Sequence, residues 1–267
     1  MRLPDPLRRA VPRVRTAVPE DLRRFVRTAR SLRGGGPVSL LPDFRRALVI
    51  APHPDDESLG CGGTMALLAG RGTEVTTLTA SDGEATRGTD LPADEIGRLR
   101  RAEAQRAAAV SGAESRFLGL PDGGLADHPH ELTSDLRKAL SEVKPDAVFA
   151  PWLLDGGSDH RAVSGALADA LDGAGGSPLP EVWGYEVWTP LVPNRMVDIT
   201  GVIDRKREAI ACHETASKAL DLTAGEALAR WRSLQGFGGR GWVEAFIALT
   251  PAQYRELAAE LAAPADA

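Results

Sequence analysis

The stretch Ala47-Leu48-Val49-Ile50-Ala51-Pro52-His53-Pro54-Asp55-Asp56-Glu57-Ser58-Leu59-Gly60-Cys61-Gly62-Gly63 decides the fold. Its first five residues form an apolar run of the kind that makes a strand buried on both faces. Helical spacing then takes over from Thr64 to Ala69. Outward from this unit the same alternation recurs. Glu74 to Ala80 and Ala147 to Pro151 read as further buried strands, with shorter candidates at Arg116 to Leu118, Glu181 to Trp188 and Met196 to Ile199. Helical spacing covers Ala93 to Val110, His130 to Glu142, His160 to Leu171, Ile203 to His213 and Pro251 to Leu261. Strands alternating with helices predict an α/β fold, a mainly parallel Rossmann-like sheet with helices on both faces. Such sheets bind ligands beyond the carboxyl ends of their strands, so chemistry is expected there.

Composition narrows the field. The chain has 267 residues, 43% of them hydrophobic, enough for one large domain with a sizeable core. Thirty-two Lys and Arg stand against 37 Asp and Glu, a net charge of -5. That balance gives no chain-wide basic field, and no nucleic-acid partner is expected. Two cysteines, Cys61 and Cys212, exclude a disulfide framework and suit a reducing compartment. With only short apolar runs and neither a membrane span nor a signal-peptide core in view, the protein is expected to be soluble and cytoplasmic. Charge is unevenly spread, however. Residues 1–46 hold twelve Arg and four carboxylates, leaving that head at +8 and the rest at -13. Pro19 to Arg33 has an apolar stripe of Leu22, Phe25, Val26, Ala29 and Leu32 opposite an arginine face. The expected organisation is a basic N-terminal helical extension over 1–44 and a catalytic domain over 45–267. The basic helix either packs on the acidic body or contacts a membrane surface.

The turn after the first strand carries His53 and three adjacent carboxylates, Asp55, Asp56 and Glu57. Crowded carboxylates raise one another's pKa, so burying them together requires a cation. The turn after Ala147 to Pro151 supplies the complement, Asp155-Gly156-Gly157-Ser158-Asp159-His160. In a parallel sheet this second loop can face the first and bring His160 towards His53 and Asp56. Two imidazoles and one carboxylate are a ligand set for a catalytic zinc ion with an open position. Such an ion lowers the pKa of its water to ~7 and polarises a carbonyl, the chemistry of amide hydrolysis.

The run Pro52 to Gly63 resembles the Ala-His-Pro-Asp-Asp-Glu signature of the zinc-dependent de-N-acetylases related to N-acetylglucosaminyl-phosphatidylinositol deacetylase, a family that includes the mycothiol and bacillithiol deacetylases. Arg100-Arg101-Ala102-Glu103 is similar to the family's Arg-x-x-Glu helix, Leu120-Pro121-Asp122-Gly123 to its Pro-Asp-Gly loop, and Lys206 to His213 to its late Lys-to-His helix. The resemblance spans roughly residues 45 to 250, and its first motif is the specific one. It implies that His53, Asp56 and His160 bind Zn2+. It implies further that Asp55 is the general base on the metal-bound water and later the acid towards the leaving amine. Arg100 and Asp122 would touch sugar hydroxyls, and Asp159 would orient a ligand from behind. The alternative for Arg100 is pairing with Glu95 or Glu103 on its own helix face. The implied substrate is a small N-acetylglucosamine-type glycoconjugate. One departure stands out: Gly157 occupies the place of the family's first histidine in Asp-x-His-x-Asp-His, a residue that helps stabilise the oxyanion. Losing one such donor commonly costs ~100–1000-fold in rate.

Two other readings follow from that departure. One is a non-catalytic or weakly catalytic glycan or nucleotide-sugar binding protein on the same scaffold. The other is an amidase acting on an acylated antibiotic sugar or another amide. A nicotinamide enzyme is disfavoured, because Met65 stands where Gly-x-Gly-x-x-Gly needs its last glycine. Cys61 reads as a small apolar filler, and His128 and His130 as solvated or capping residues. Trp152, Trp183, Tyr185 and Trp188 suit stacking on a sugar and filling a core equally well.

Overall fold

A computed structural model of the protein describes residues 41–172 and 179–262. The expected basic helix Pro19 to Arg33 lies outside the described residues, as does nearly all of the extension that carries it. The described chain builds one seven-stranded sheet in the order β3-β2-β1-β4-β5-β7-β6. Its strands are β1 (Arg46–Ala51), β2 (Glu74–Ser81), β3 (Glu114–Leu120), β4 (Ala147–Pro151), β5 (Glu181–Tyr185), β6 (Arg195–Asp198) and β7 (Val243–Leu249). The first five are parallel, and β7 runs antiparallel to both of its neighbours. The helices are α1 (Asp56–Gly70), α2 (Ala93–Ser111), α3 (Pro129–Val143), α4 (Ser158–Asp172), α5 (Ile203–Ala211), α6 (Ala224–Arg232), α7 (Leu234–Phe237) and α8 (Pro251–Ala262).

Side chains alternate along β1, so its two faces feed two cores. Leu48 and Ile50 pack with Leu132 and Leu136 of α3 and Val163 and Leu167 of α4. Ala47 and Val49 pack with Cys61, Met65 and Leu68 of α1 and with Trp183, Tyr185 and Phe246. Helices therefore cover both faces, as the alternating pattern predicts. Cys61 is fully buried, and burial pushes its thiol well above the ordinary cysteine range, as befits an apolar filler. Neither cysteine is in a disulfide.

Three differences from the sequence reading have physical causes. α1 begins eight residues earlier than the helical spacing suggests, because Gly60, Gly62 and Gly63 hide the apolar stripe. β7 escapes an apolar-run search because Glu244 interrupts it near its start; that carboxylate is buried and neutralised by Lys206 Nζ at 2.6 Å. β5 stops at Tyr185 rather than Trp188, since Trp188 and Thr189 turn away to donate their backbone N–H groups to Asp155 Oδ1.

The topology has one consequence for function. From β1 the chain winds outward to β2 and β3, then returns to place β4 on β1's other side and winds outward again to β5. The reversal leaves a crevice between the carboxyl ends of β1 and β4, the usual ligand position in an open parallel sheet.

Candidate metal centre

Both loops quoted from the sequence open into that crevice. His53 follows β1, Asp56 starts α1, and His160 lies in the first turn of α4 after β4. Asp56 Oδ2 is 3.2 Å from His53 Nδ1 and 3.4 Å from His160 Nε2. One ligand atom from each of the three lies within 4.8 Å of the others, a group able to hold a metal ion. The two ring atoms left over are also engaged. His53 Nε2 faces Asp159 Oδ2 and Asp122 Oδ1, each at 3.1 Å, and His160 Nδ1 faces Asp155 Oδ2 at 2.9 Å. A carboxylate behind each imidazole fixes its tautomer and turns the other nitrogen towards the crevice, the arrangement that metal-binding histidines show.

Electrostatics point the same way. Burial alone would lower the pKa of His53, but its hydrogen bonds to the carboxylates of Asp122, Asp159 and Asp56 override it and push the group up to about 12. His160 is likewise disfavoured as a cation by burial, yet Asp56 and Asp155 raise it to about 9. Burial works to raise Asp56, but His160 and His53 hold it well below the usual carboxylate range. The triad is thus a buried carboxylate between two imidazoles that the surrounding acids strongly favour as cations. Where those rings are neutral, a dication at the same point satisfies the same acids.

Asp55 stands beside this group on strained backbone, with φ at 142°, a conformation that non-glycine residues seldom adopt. Glu57 Oε2 accepts the Asp55 backbone N–H at 3.2 Å, and Arg100 Nη2 donates to Asp55 Oδ2 at 2.9 Å. Burial pushes Asp55 up and Arg100 pulls it back, leaving it raised to about 6. A carboxyl near neutrality both takes and returns protons at physiological pH.

The structure brings Asp55, Asp56, Asp159, His53 and His160 into one cluster. Asp122, expected against a sugar, joins it through His53, whereas Arg100, also expected there, is turned inward. Arg100 is only 5% exposed, and its guanidinium also donates to the carbonyls of Pro54 and Gly83 and to Thr86 Oγ1. It does not pair with Glu95 or Glu103 either; Glu103 instead accepts from Thr215. Asp122 backs His53 and accepts the Ala85 N–H at 3.0 Å. Trp152, Trp183 and Tyr185 are buried as core, whereas Trp188 is 55% exposed beside His160.

Sequence reasoning left Asp155, Glu57 and His213 without roles. Asp155 was legible as a carboxylate five residues before a candidate ligand histidine, within the same loop. His213 Nε2 lies 3.0 Å from Ser58 Oγ and 3.4 Å from Glu57 Oε1, a contact across 155 positions that no local pattern announces.

With this geometry in view, the profile of the GlcNAc-PI de-N-acetylase family matches residues 48–171. The chain is 32% identical over 196 residues to 2'-N-acetylparomamine deacetylase of Streptomyces fradiae, covering 60% of this chain and 70% of that protein. It is 27% identical over 190 residues to diacetylchitobiose deacetylase of Thermococcus kodakarensis, covering 65% and 70%. Among solved structures, the conserved protein TT1542 of Thermus thermophilus superposes with a TM-score of 0.65 at 31% identity, covering 77% of this chain and 94% of that one.

Proposed function

Since the chain belongs to the GlcNAc-PI de-N-acetylase family, we propose that it is a zinc-dependent hydrolase that removes an N-acetyl group from a small N-acetylglucosamine-type glycoconjugate. Two of the proteins named above, the paromamine and chitobiose relatives, are named deacetylases, which supports hydrolysis of an acetamide. The observation that carries the reading is the meeting of His53, Asp56 and His160 at the crevice with Asp55 locked beside them.

His53, Asp56 and His160 would hold the ion, with Asp159 and Asp122 behind one ring and Asp155 behind the other. Zinc in such a set supplies positive charge that polarises an acyl carbonyl and acidifies water. Asp55 takes a proton from the attacking water as the carbon–oxygen bond forms. It then gives a proton to the sugar nitrogen as the carbon–nitrogen bond breaks, because an amide anion is too basic to leave unprotonated. The products are acetate and a free amine. Arg100 acts here as the clamp on Asp55, not as a sugar contact, and keeps that carboxyl from rising far above neutrality. Asp122 and Asp159 keep His53 oriented.

Asp55→Asn tests the assignment. Metal content measured by elemental analysis should stay unchanged, while amine release from acetylated glucosamine conjugates, detected with fluorescamine, should nearly vanish. Turnover that survives the substitution removes Asp55 as the base. Gly157 favours a second reading, a glycan-binding protein that has lost turnover. Wild-type chain that binds such conjugates and frees no amine would support it. An acylated antibiotic sugar as substrate keeps the mechanism and changes only the pocket, in line with the paromamine relative.

A further inference from the structure

Hydrolysis of an amide places negative charge on the acyl oxygen as the tetrahedral intermediate forms, and the charge needs a directed hydrogen-bond donor. The crevice is poor in them. Asp56, Asp122 and Asp159 surround His53, and both terminal nitrogens of Arg100 are spent on Asp55, Pro54, Gly83 and Thr86. Gly157 contributes no side chain: at φ 93° it faces His160 Cδ2, which a Cβ would meet at 3.6 Å. Resting on the deacetylase reading above, we propose that the indole N–H of Trp188 is the donor to the substrate's acyl oxygen, a catalytic contact supplied from the β5–β6 connection.

Trp188 Nε1 lies 3.2 Å from His160 Nε2, at the crevice edge of the triad. With Nδ1–H of His160 held on Asp155, the deprotonated ring that binds a metal carries its lone pair on Nε2, the atom that the indole N–H faces. That lone pair is the one a metal ion would take. Once it is taken, the indole N–H has no other acceptor among the described residues and stands beside the ion's position. A polar N–H left in that state seeks an oxygen. The acyl oxygen drawn to the cation is the one the chemistry puts within reach.

The site is built to hold the indole there. The Trp188 backbone N–H donates to Asp155 Oδ1 at 3.0 Å, so one carboxylate positions both the histidine ring and the tryptophan. Gly156 makes room for it, since a Cβ there would come within 3.0 Å of Trp188 Cβ. Trp188 also lines a cavity of about 290 Å³ with Leu59 and Leu222. Its 55% exposure permits the small shift from a ring nitrogen to a substrate oxygen.

The test compares Trp188→Phe, which keeps an aromatic body without the N–H, with Trp188→His, which restores a ring N–H. A methylphosphonate amide of glucosamine serves as the tetrahedral probe, and its binding to zinc-loaded protein is measured by calorimetry. The expected result is a loss of probe affinity of about 100-fold or more in Trp188→Phe, with zinc content and glucosamine binding unchanged, and partial recovery in Trp188→His. A matching fall in kcat with little change in KM is expected. Independently of any variant, 15N-labelled wild-type protein should show one indole N–H resonance moving on zinc loading and again, downfield, on probe binding. Equal probe affinity in wild type and Trp188→Phe, or no indole resonance responding to the probe, overturns the role of Trp188. Wild-type turnover alongside that result would leave the deacetylase reading standing. Failure of wild type to bind zinc would bring down both.

Discussion

Arg100→Met removes the clamp on Asp55 and separates two roles for the same arginine. With Arg100 in place and no metal bound, Asp55 is raised to about 6, so at neutral pH about nine carboxyls in ten are ionised, and a bound dication would increase that share. An opposite charge in contact is worth ~1–3 pKa units. Its loss carries Asp55 to roughly 7–9, and the ionised fraction at pH 7 falls to between about a half and about a hundredth. kcat/KM at neutral pH should therefore drop, by at most about 100-fold, and return as the pH is raised. Stability suffers as well. Both partners are buried, and removing one member of such a pair costs roughly 3–5 kcal/mol. The upper part of that range is relieved here because Asp55 can take a proton. The assay is fluorescamine-detected amine release from about pH 5 to about pH 10, with Asp55→Asn as the blank. An acidic limb that moves upward by one unit or more supports the clamp. A limb that stays in place while KM alone rises would refute it and return Arg100 to the sugar.

Other consequences follow from the same geometry. In the metal-free chain His53 is held up to about 12 and His160 to about 9, so both rings carry protons at neutral pH and must shed them to bind zinc. Zinc affinity should rise with pH, by about tenfold per unit for each proton released, and calorimetry in buffers of different ionisation enthalpy should count close to two protons; zinc affinity flat between about pH 6 and about pH 8 would contradict these assignments. Lys206→Met strands Glu244, which accepts the N–H groups of Gly63 and Thr64 as well as Lys206, in a fully buried position. Denaturant melts should show a loss of about 3–5 kcal/mol, and Glu244→Gln added to it should recover part of that loss; a single-variant loss under about 1 kcal/mol would mean the pair is not buried as described.

Much of this was legible before the structure. The apolar runs of β1, β2 and β4 are continuous because both faces of a parallel strand are covered, and such runs survive inspection. His53, Asp56 and His160 were legible because a parallel sheet puts their loops at one end. The inward turn of Arg100 was half visible: it shares the stripe of Ile96, Ala104 and Ala107, whose spacing already placed a charge on the buried face of α2. A buried charge on an apolar stripe demands a partner, but the partner's identity depends on α2 docking beside the β1–α1 turn, which no local pattern encodes. β7 was hidden by Glu244, whose neutralising lysine lies 38 positions away. Trp188 was ambiguous for a similar reason, since its contact with His160 exists only because Asp155 bridges two connections.

The central claim is a single dication shared by two distant loops, and anomalous diffraction at the zinc edge from crystals of the zinc-loaded protein tests it most directly. The expected result is one peak bounded by His53 Nδ1, an Asp56 oxygen and His160 Nε2, each at about 2.0–2.2 Å. A peak held by other residues, or none in the crevice while His160 turns away from His53, would contradict the account.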